Sequence, residues 1–315
     1  MTVRVAVVGC GTVARTGHLP SLRLGGDADV VAFASRSARS AELARNAWGS
    51  GDATTDWRAA VARPDVDAVH VCVPNVLHHE VALAALRAGK HVLVEKPLTT
   101  TLRDADELVA LADREGLLLG QCFEGRISPG LQELRRRVPA IGEVERVEVS
   151  LGHAGPQSWS ADSGWFRDPA LSGGGVLIDL GVHVLDALRW TLADLEEVVS
   201  AELTGPVEEV ASLELRLVGG TPASVVVSWQ APEQQFSFRF TGARGTLEVD
   251  GGRLLQDGAE VEVGQPELRG TAGAFARSVA TGSPLVADGR DGRAALAAVL
   301  AGYESARTGA PVTVA

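Results

Sequence analysis

Five short apolar runs punctuate the first 120 residues: VRVAVVG (3–9), DVVAFAS (29–35), DAVHVCV (67–73), HVLVE (91–95) and LLLGQ (117–121). Between them lie stretches rich in Ala, Leu and Arg whose apolar residues recur at three- and four-residue spacing, as in Val81, Ala84, Ala85 and Ala88, with Gly89 as a stop. Unbroken apolar strands alternating with amphipathic helices predict a parallel α/β sheet covered on both faces. Beyond residue 123 the pattern changes. One helix is expected from Gly174 to Trp190, then period-two segments as far as Val263. In VASLELRLV, Leu213, Leu215 and Leu217 alternate with Ser212, Glu214 and Arg216, and in FSFRF the residues Phe236, Phe238 and Phe240 share a face. Such alternation predicts antiparallel strands with one packed and one polar side. Two helices, near 273–280 and 289–306, and a short tail at 311–314 close the chain.

The 315 residues suit two domains, expected at 1–122 and 123–315. Lys and Arg number 29 against 40 Asp and Glu, a net charge of −11 that disfavours polyphosphate and anionic lipid partners, so neither nucleic acid nor a membrane is expected. Cys10, Cys72 and Cys122 are odd in number and widely spaced, as free thiols in a reducing cytoplasm would be. The N-terminus turns into a Gly-rich loop too early for a signal peptide, and no uncharged apolar run is long enough to span a bilayer. A cytoplasmic protein is expected.

Directly after the first run stands Gly9-Cys10-Gly11-Thr12-Val13-Ala14, which matches G-x-G-x-x-G/A between a strand and a helix. Gly9 permits the turn, Gly11 lets the backbone approach a pyrophosphate, and Ala14 lets helix and strand touch, while N–H groups at the helix start meet the anion. At the end of the second strand, where an NAD enzyme places a carboxylate on the ribose, the chain reads Ser35-Arg36-Ser37. Arg36 offers a planar fork and the serines offer hydroxyls to a 2′-phosphate, so NADP(H) is preferred over NAD(H).

The chain resembles the glucose-fructose oxidoreductase, inositol dehydrogenase and rhizopine-catabolism family (Gfo/Idh/MocA). The likeness rests on the Gly9 loop, Pro74-Asn75-Val76-Leu77-His78, Val94-Glu95-Lys96-Pro97-Leu98, the run from Gly173-Gly174-Gly175 to Asp179 and His183, and the closing Tyr303-Glu304-Ser305-Ala306. It implies a Rossmann dinucleotide-binding domain, a C-terminal α/β domain with a mainly antiparallel open sheet, and nicotinamide-dependent oxidation or reduction of a sugar or polyol in a site between the domains. Lys96, Asp179 and His183 match its catalytic positions. Gly9, Gly11, Thr12, Val13, Ser35, Arg36, Pro74, Asn75, His78, Glu95 and Lys96 match its cofactor contacts, to which the sequence pattern adds Ser37. Family relatives also suggest a homodimer or homotetramer through the C-terminal sheet, whose outer face would carry Ser224, Val226, Ser228 and Gln230.

The residue types suit that chemistry. Lys96 follows the HVLVE strand, where ligands of open α/β sheets collect, and a cation there polarises a carbonyl. Asp179 and His183 are four apart on one helical face, with Asp186 and Trp190 continuing its polar side. Imidazole gives or takes a proton near neutral pH, which makes His183 the expected acid/base and Asp179 its orienter or a substrate ligand. The single tyrosine, Tyr303, lies in the terminal helix, so a Tyr proton donor at the His183 position is excluded. His18, His70, His91 and His153 show no ligand-like spacing and no metal is expected. Gln121, Glu124, Arg126, Trp159, Trp165, Phe166 and Arg167 fall in segments expected to line the cleft. Two other functions compete: a dinucleotide-binding regulator without turnover, and a glycosidase that uses bound NAD transiently.

Overall fold

A computed structural model describes residues 2–160, 163–265 and 270–315. The chain divides into two compact units, Met1–Glu124 with Glu267–Arg293, and Gly125–Pro266 with Ala294–Ala315.

In the first unit the strands are β1 (Val3–Val8), β2 (Ala28–Ala34), β3 (Asp52–Thr54), β4 (Ala68–Val71), β5 (His91–Val94) and β6 (Leu119–Gln121). They form one parallel sheet in the order β3-β2-β1-β4-β5-β6. Val5, Ala6 and Val7 of β1 are fully buried, as the centre of a doubly covered sheet requires. The order reverses between β1 and β4, which places a crevice for ligands outside the carboxyl ends of these strands. The helices are α1 (Leu19–Gly25), α2 (Ala38–Trp48), α3 (Trp57–Val61), α4 (His78–Arg87) and α5 (Leu102–Glu115). Ahead of α1, Ala14–His18 winds as a π-turn in which the Leu19 N–H reaches the Ala14 carbonyl.

The segment after residue 266 departs from the boundary expected at 122/123, because the helix Thr271–Thr281 completes the core of the first unit. Ala272, Phe275 and Ala276 belong to one apolar cluster with Val3, Val5, Val7, Leu22 and Phe33. Gly273 N–H donates to Ser21 Oγ at 2.8 Å, an approach that only a glycine allows, since a Cβ there would meet the Ser21 carbonyl oxygen at 2.5 Å.

The second unit holds α6 (Pro129–Arg137), α7 (Pro169–Ser172) and α8 (Val182–Thr191), the last preceded by a π-turn at Leu177–Gly181. Its strands are β7 (Val144–Gly152), β8 (Leu195–Thr204), β9 (Val210–Leu217), β10 (Pro222–Ser228), β11 (Gln235–Gly242), β12 (Gly245–Asp250), β13 (Arg253–Gln256), β14 (Ala259–Val261) and β15 (Val312–Thr313). They run in the order β14-β13-β12-β11-β7-β10-β9-β8-β15. Every pairing is antiparallel except β7 with β10. Leu213, Leu215 and Leu217 are buried beside Ala223, Val225 and Val227 of β10, whereas Val226 points outward and is 43% exposed. The helix Thr271–Thr281 is α9, and α10 (Gly289–Thr308) leads to the final strand.

Among the described residues one stretch, Pro169–Thr191, is long and apolar enough to cross a membrane, with mean hydropathy 1.4; 78% of it is buried inside the protein. Its apolarity therefore serves a core. Asp186 belongs to that core rather than to the polar face expected for it: it is 1% exposed, and both its oxygens accept from Arg126, at 2.9 and 2.6 Å. A buried carboxylate demands such a bidentate partner, because a charge taken out of water is otherwise too costly.

Candidate active site

Gly9 ends β1 with φ of +95°, and a Cβ would sit 2.2 Å from the Cys72 carbonyl oxygen, so the neighbouring strand accounts for this glycine. Gly11 differs: nothing lies within 4 Å of a Cβ built there. The chain turns helical at Thr12 and Val13, Arg15 N–H reaches back to the Gly11 carbonyl at 3.2 Å, and Ala14 is fully buried. An open space before a helix start, with no side chain to fill it, fits a pyrophosphate. At the end of β2, Arg36 is exposed. Ser37 is exposed as well, and its hydroxyl caps α2 by accepting the Ser40 N–H at 3.3 Å.

The two turns past the carboxyl ends of β4 and β5 are tied to one another. Pro74 and Asn75 open a helical turn, and the His78 side chain that follows is fully buried. Its Nδ1 lies 2.6 Å from the Pro97 carbonyl oxygen and its Nε2 lies 2.8 Å from that of Val73. Burial pulls this imidazole below its ordinary range, and the two carbonyls oppose that. His78 thus staples the turn after β4 to the turn bearing Lys96. Glu95 is likewise engaged: Oε1 bonds His18 Nε2 at 2.8 Å and Oε2 accepts the Lys96 N–H at 3.2 Å. The Lys96–Pro97 peptide is cis, and Lys96 is half-buried.

His18 escapes a reading based on linear spacing because its partners lie 52, 77 and 104 residues away. Its Nδ1 is 3.1 Å from His70 Nδ1, and Cys122 Sγ is 3.8 Å from its Nε2. Burial, with His18 alongside, holds His70 well below the usual imidazole range, and burial pushes the Cys122 thiol up to about 12. His18, Glu95 and Cys122 offer three donor atoms within 4.8 Å of one another, a trio whose carboxylate is already hydrogen-bonded to the imidazole.

In the second unit the π-turn Leu177–Gly181 carries Asp179 and the first turn of α8 carries His183. Asp179 is 4% exposed, and its Oδ2 accepts the indole N–H of Trp229 at 3.0 Å. His183 is half-buried one turn further on. Around them the Arg167 guanidinium lies 5.6 Å from the Trp229 ring centre and pairs with Glu209, which also accepts from Gln230 Nε2 at 3.0 Å. Trp165 stacks on Phe166, and Trp159 is exposed. Trp229 and Glu209 carry no sequence signal beyond their place on a strand end and a loop.

Three residues expected along a cleft are committed to internal bonds. Gln121 is buried and donates to the Val94 carbonyl, Glu124 accepts the N–H and hydroxyl of Thr271, and Arg126 holds Asp186. The structure thus places Lys96 with the Gly9–Ala14 loop in the first unit, and Asp179 with His183 in the second.

Residues 3–122 match an oxidoreductase family with an NAD-binding Rossmann fold, GFO/IDH/MocA, and residues 132–248 match the GFO/IDH/MocA C-terminal domain. A 1,5-anhydro-D-fructose reductase of Ensifer adhaerens is 37% identical over 195 residues, spanning 61% of this chain and 57% of that protein. A dTDP-3,4-didehydro-2,6-dideoxy-alpha-D-glucose 3-reductase of Saccharopolyspora spinosa is 31% identical over 300 residues, covering 89% of each. Among solved structures, the aldose-aldose oxidoreductase of Caulobacter crescentus, crystallised with glycerol, superposes with a TM-score of 0.88 at 26% identity, over 99% of this chain and 100% of its own.

Proposed function

The chain belongs to the Gfo/Idh/MocA oxidoreductase family, and from that premise we propose that it transfers hydride between a nicotinamide dinucleotide and a carbonyl or hydroxyl carbon of a sugar, sugar derivative or polyol. The observation that carries this is the carboxyl edge of the first sheet. There the open Gly11 loop at β1 and the braced Glu95-Lys96-Pro97 turn at β5 flank the reversal of strand order. Gly11, Thr12 and Val13 would hold the pyrophosphate, Ser35 and Arg36 the adenosine ribose, and Pro74 and Asn75 the nicotinamide side. When bound, the dinucleotide supplies the hydride donor or acceptor.

The protein's own groups handle charge and protons. In reduction the carbonyl electron pair moves to oxygen as the carbon gains hydride; Lys96 sets a positive charge against that oxygen and His183 delivers the proton. In oxidation the proton returns to His183. Asp179, held by Trp229, fixes a neighbouring sugar hydroxyl. Its acceptor-only carboxylate suits a hydroxyl donor, and the nearby Arg167 and Trp229 suit the polar rim and apolar face of a pyranose.

NADP(H) is the preferred coenzyme in this reading, since Ser35-Arg36-Ser37 stands where a ribose-binding carboxylate would. Arg36→Ala should raise the NADPH dissociation constant by about 10–100-fold, the worth of a charge-assisted contact. The NADH constant should stay within about twofold. Fluorescence titration with both coenzymes decides, and equal losses would sink the assignment. Absorbance assays with a ketosugar and polyol panel test the activity itself: steady NADPH consumption supports the enzyme, whereas tight NADPH binding with no turnover on any member favours the regulator.

The same reading assigns the outward face of the C-terminal sheet, with Ser224, Val226, Ser228 and Gln230, to a homodimer or homotetramer. Light scattering at micromolar concentration should show the oligomer, and Val226→Glu should convert it to monomer. A monomeric wild-type protein overturns that assembly.

A further inference from the structure

The helix that bears Asp179 and His183 starts from Val176, whose apolar side chain does not cap the free amides of the first turn. Those amides are met from far along the chain. Glu208 Oε2 accepts the Gly175 N–H at 2.7 Å, Oε1 accepts the Leu177 N–H at 2.6 Å, and the Glu208 backbone carbonyl accepts the Val176 N–H at 2.8 Å. Tyr303 completes the set, its hydroxyl donating to Glu208 Oε2 at 2.9 Å and accepting the Ile178 N–H at 3.3 Å. Four successive donors at a helix start are therefore satisfied by one carboxylate residue and one phenol, and a negative charge is well placed against the helix dipole.

Two further features show how closely this contact is built. A Cβ on Gly174 would lie 2.1 Å from the Tyr303 hydroxyl oxygen, and one on Gly175 would lie 2.0 Å from the Val207 carbonyl oxygen and 2.4 Å from that of Glu208. The glycines before the helix thus make room for the clamp. Glu208 itself has φ of +58°, a left-handed conformation that a non-glycine residue adopts only where its surroundings impose it. Burial lifts its carboxyl above the ordinary range, the Leu177 and Gly175 amides and Tyr303 pull it back, and the Asp179 charge lifts it again.

We propose that Glu208, locked by Tyr303, is a positioning residue that sets the register and pitch of the π-turn, and through it the places of Asp179 and His183. The inference rests on the assignment of those two residues to the substrate. Glu208 touches no reacting atom; it acts through the helix start.

Glu208→Gln keeps the shape but offers one carbonyl acceptor where two carboxylate oxygens stood, and Tyr303→Phe keeps the ring while removing the hydroxyl. Both should speed amide exchange at Gly175–Ile178 by about tenfold or more and lower kcat, about tenfold for Glu208→Gln and severalfold for Tyr303→Phe, with the NADPH dissociation constant unchanged. Combining Glu208→Gln with Asp179→Asn should cost no more than the larger single effect, as expected for residues acting as one unit. Faster exchange with wild-type kcat and KM would reduce the clamp to a structural cap and overturn the proposal, as would unchanged exchange. Wild-type turnover in Asp179→Asn and His183→Ala would instead overturn the reading of the helix, a result independent of the exchange data.

Discussion

His183→Ala is expected to slow sugar reduction by about 10²–10⁴, the range measured when a positioned general acid is removed. The expectation follows from charge balance: hydride addition leaves an alkoxide, and a group able to protonate it must stand within hydrogen-bond reach. His183 is half-buried on the first turn of α8, one turn from Asp179, with the single tyrosine of the chain engaged at Glu208. Imidazole can both give and take such a proton, which suits His183 to either direction of the reaction. NADPH binding should be intact. Single-turnover stopped-flow separates the chemical step from product release. A near-wild-type rate would move the proton donor to Lys96 and leave His183 as a substrate ligand.

The residues that reveal themselves in sequence are those whose chemistry or spacing is local. Apolar runs of four to eight residues become the strands β1, β2, β4, β5 and β6, and the alternating leucines of β9 bury as their period demands. β3 is missed because Asp52-Ala53-Thr54 is a short polar edge with no hydrophobic pattern. The return of α9 to the first unit is missed as well, since a helix does not state which sheet its apolar face will cover. Asp186 misleads for a related reason: a carboxylate on a helix looks the same in sequence whether water or Arg126 satisfies it. His18 with Glu95, and Glu208 with Gly175, meet across 77 and 33 residues, and only folding brings such pairs together. The π-turns at Ala14–His18 and Leu177–Gly181 lie beyond a 3.6-residue period, yet each carries a histidine or aspartate of interest, in keeping with the frequency of π-bulges at functional sites.

Lys96→Met is expected to lower turnover by about 10²–10³, the loss typical of removing one preorganised stabiliser of a developing oxyanion. The turn that presents Lys96 is braced on both sides, by Glu95 Oε2 on its own N–H and by His78 on the Pro97 carbonyl, so the backbone carrying the side chain is fixed before substrate arrives. Such preorganisation lets a charge act on the transition state more than on the ground state, and kcat should therefore fall more than KM rises. Raising the pH should not rescue ketone reduction, because what is missing is a positive charge on oxygen rather than a base. Lys96→Arg should recover only part of the loss, since the guanidinium keeps the charge but spreads it over a larger planar group. Rates for the three proteins, measured with one sugar at several pH values, decide the matter. If Lys96→Met stays within about threefold of wild type, no oxyanion role of this size exists, and the brace would serve the turn alone.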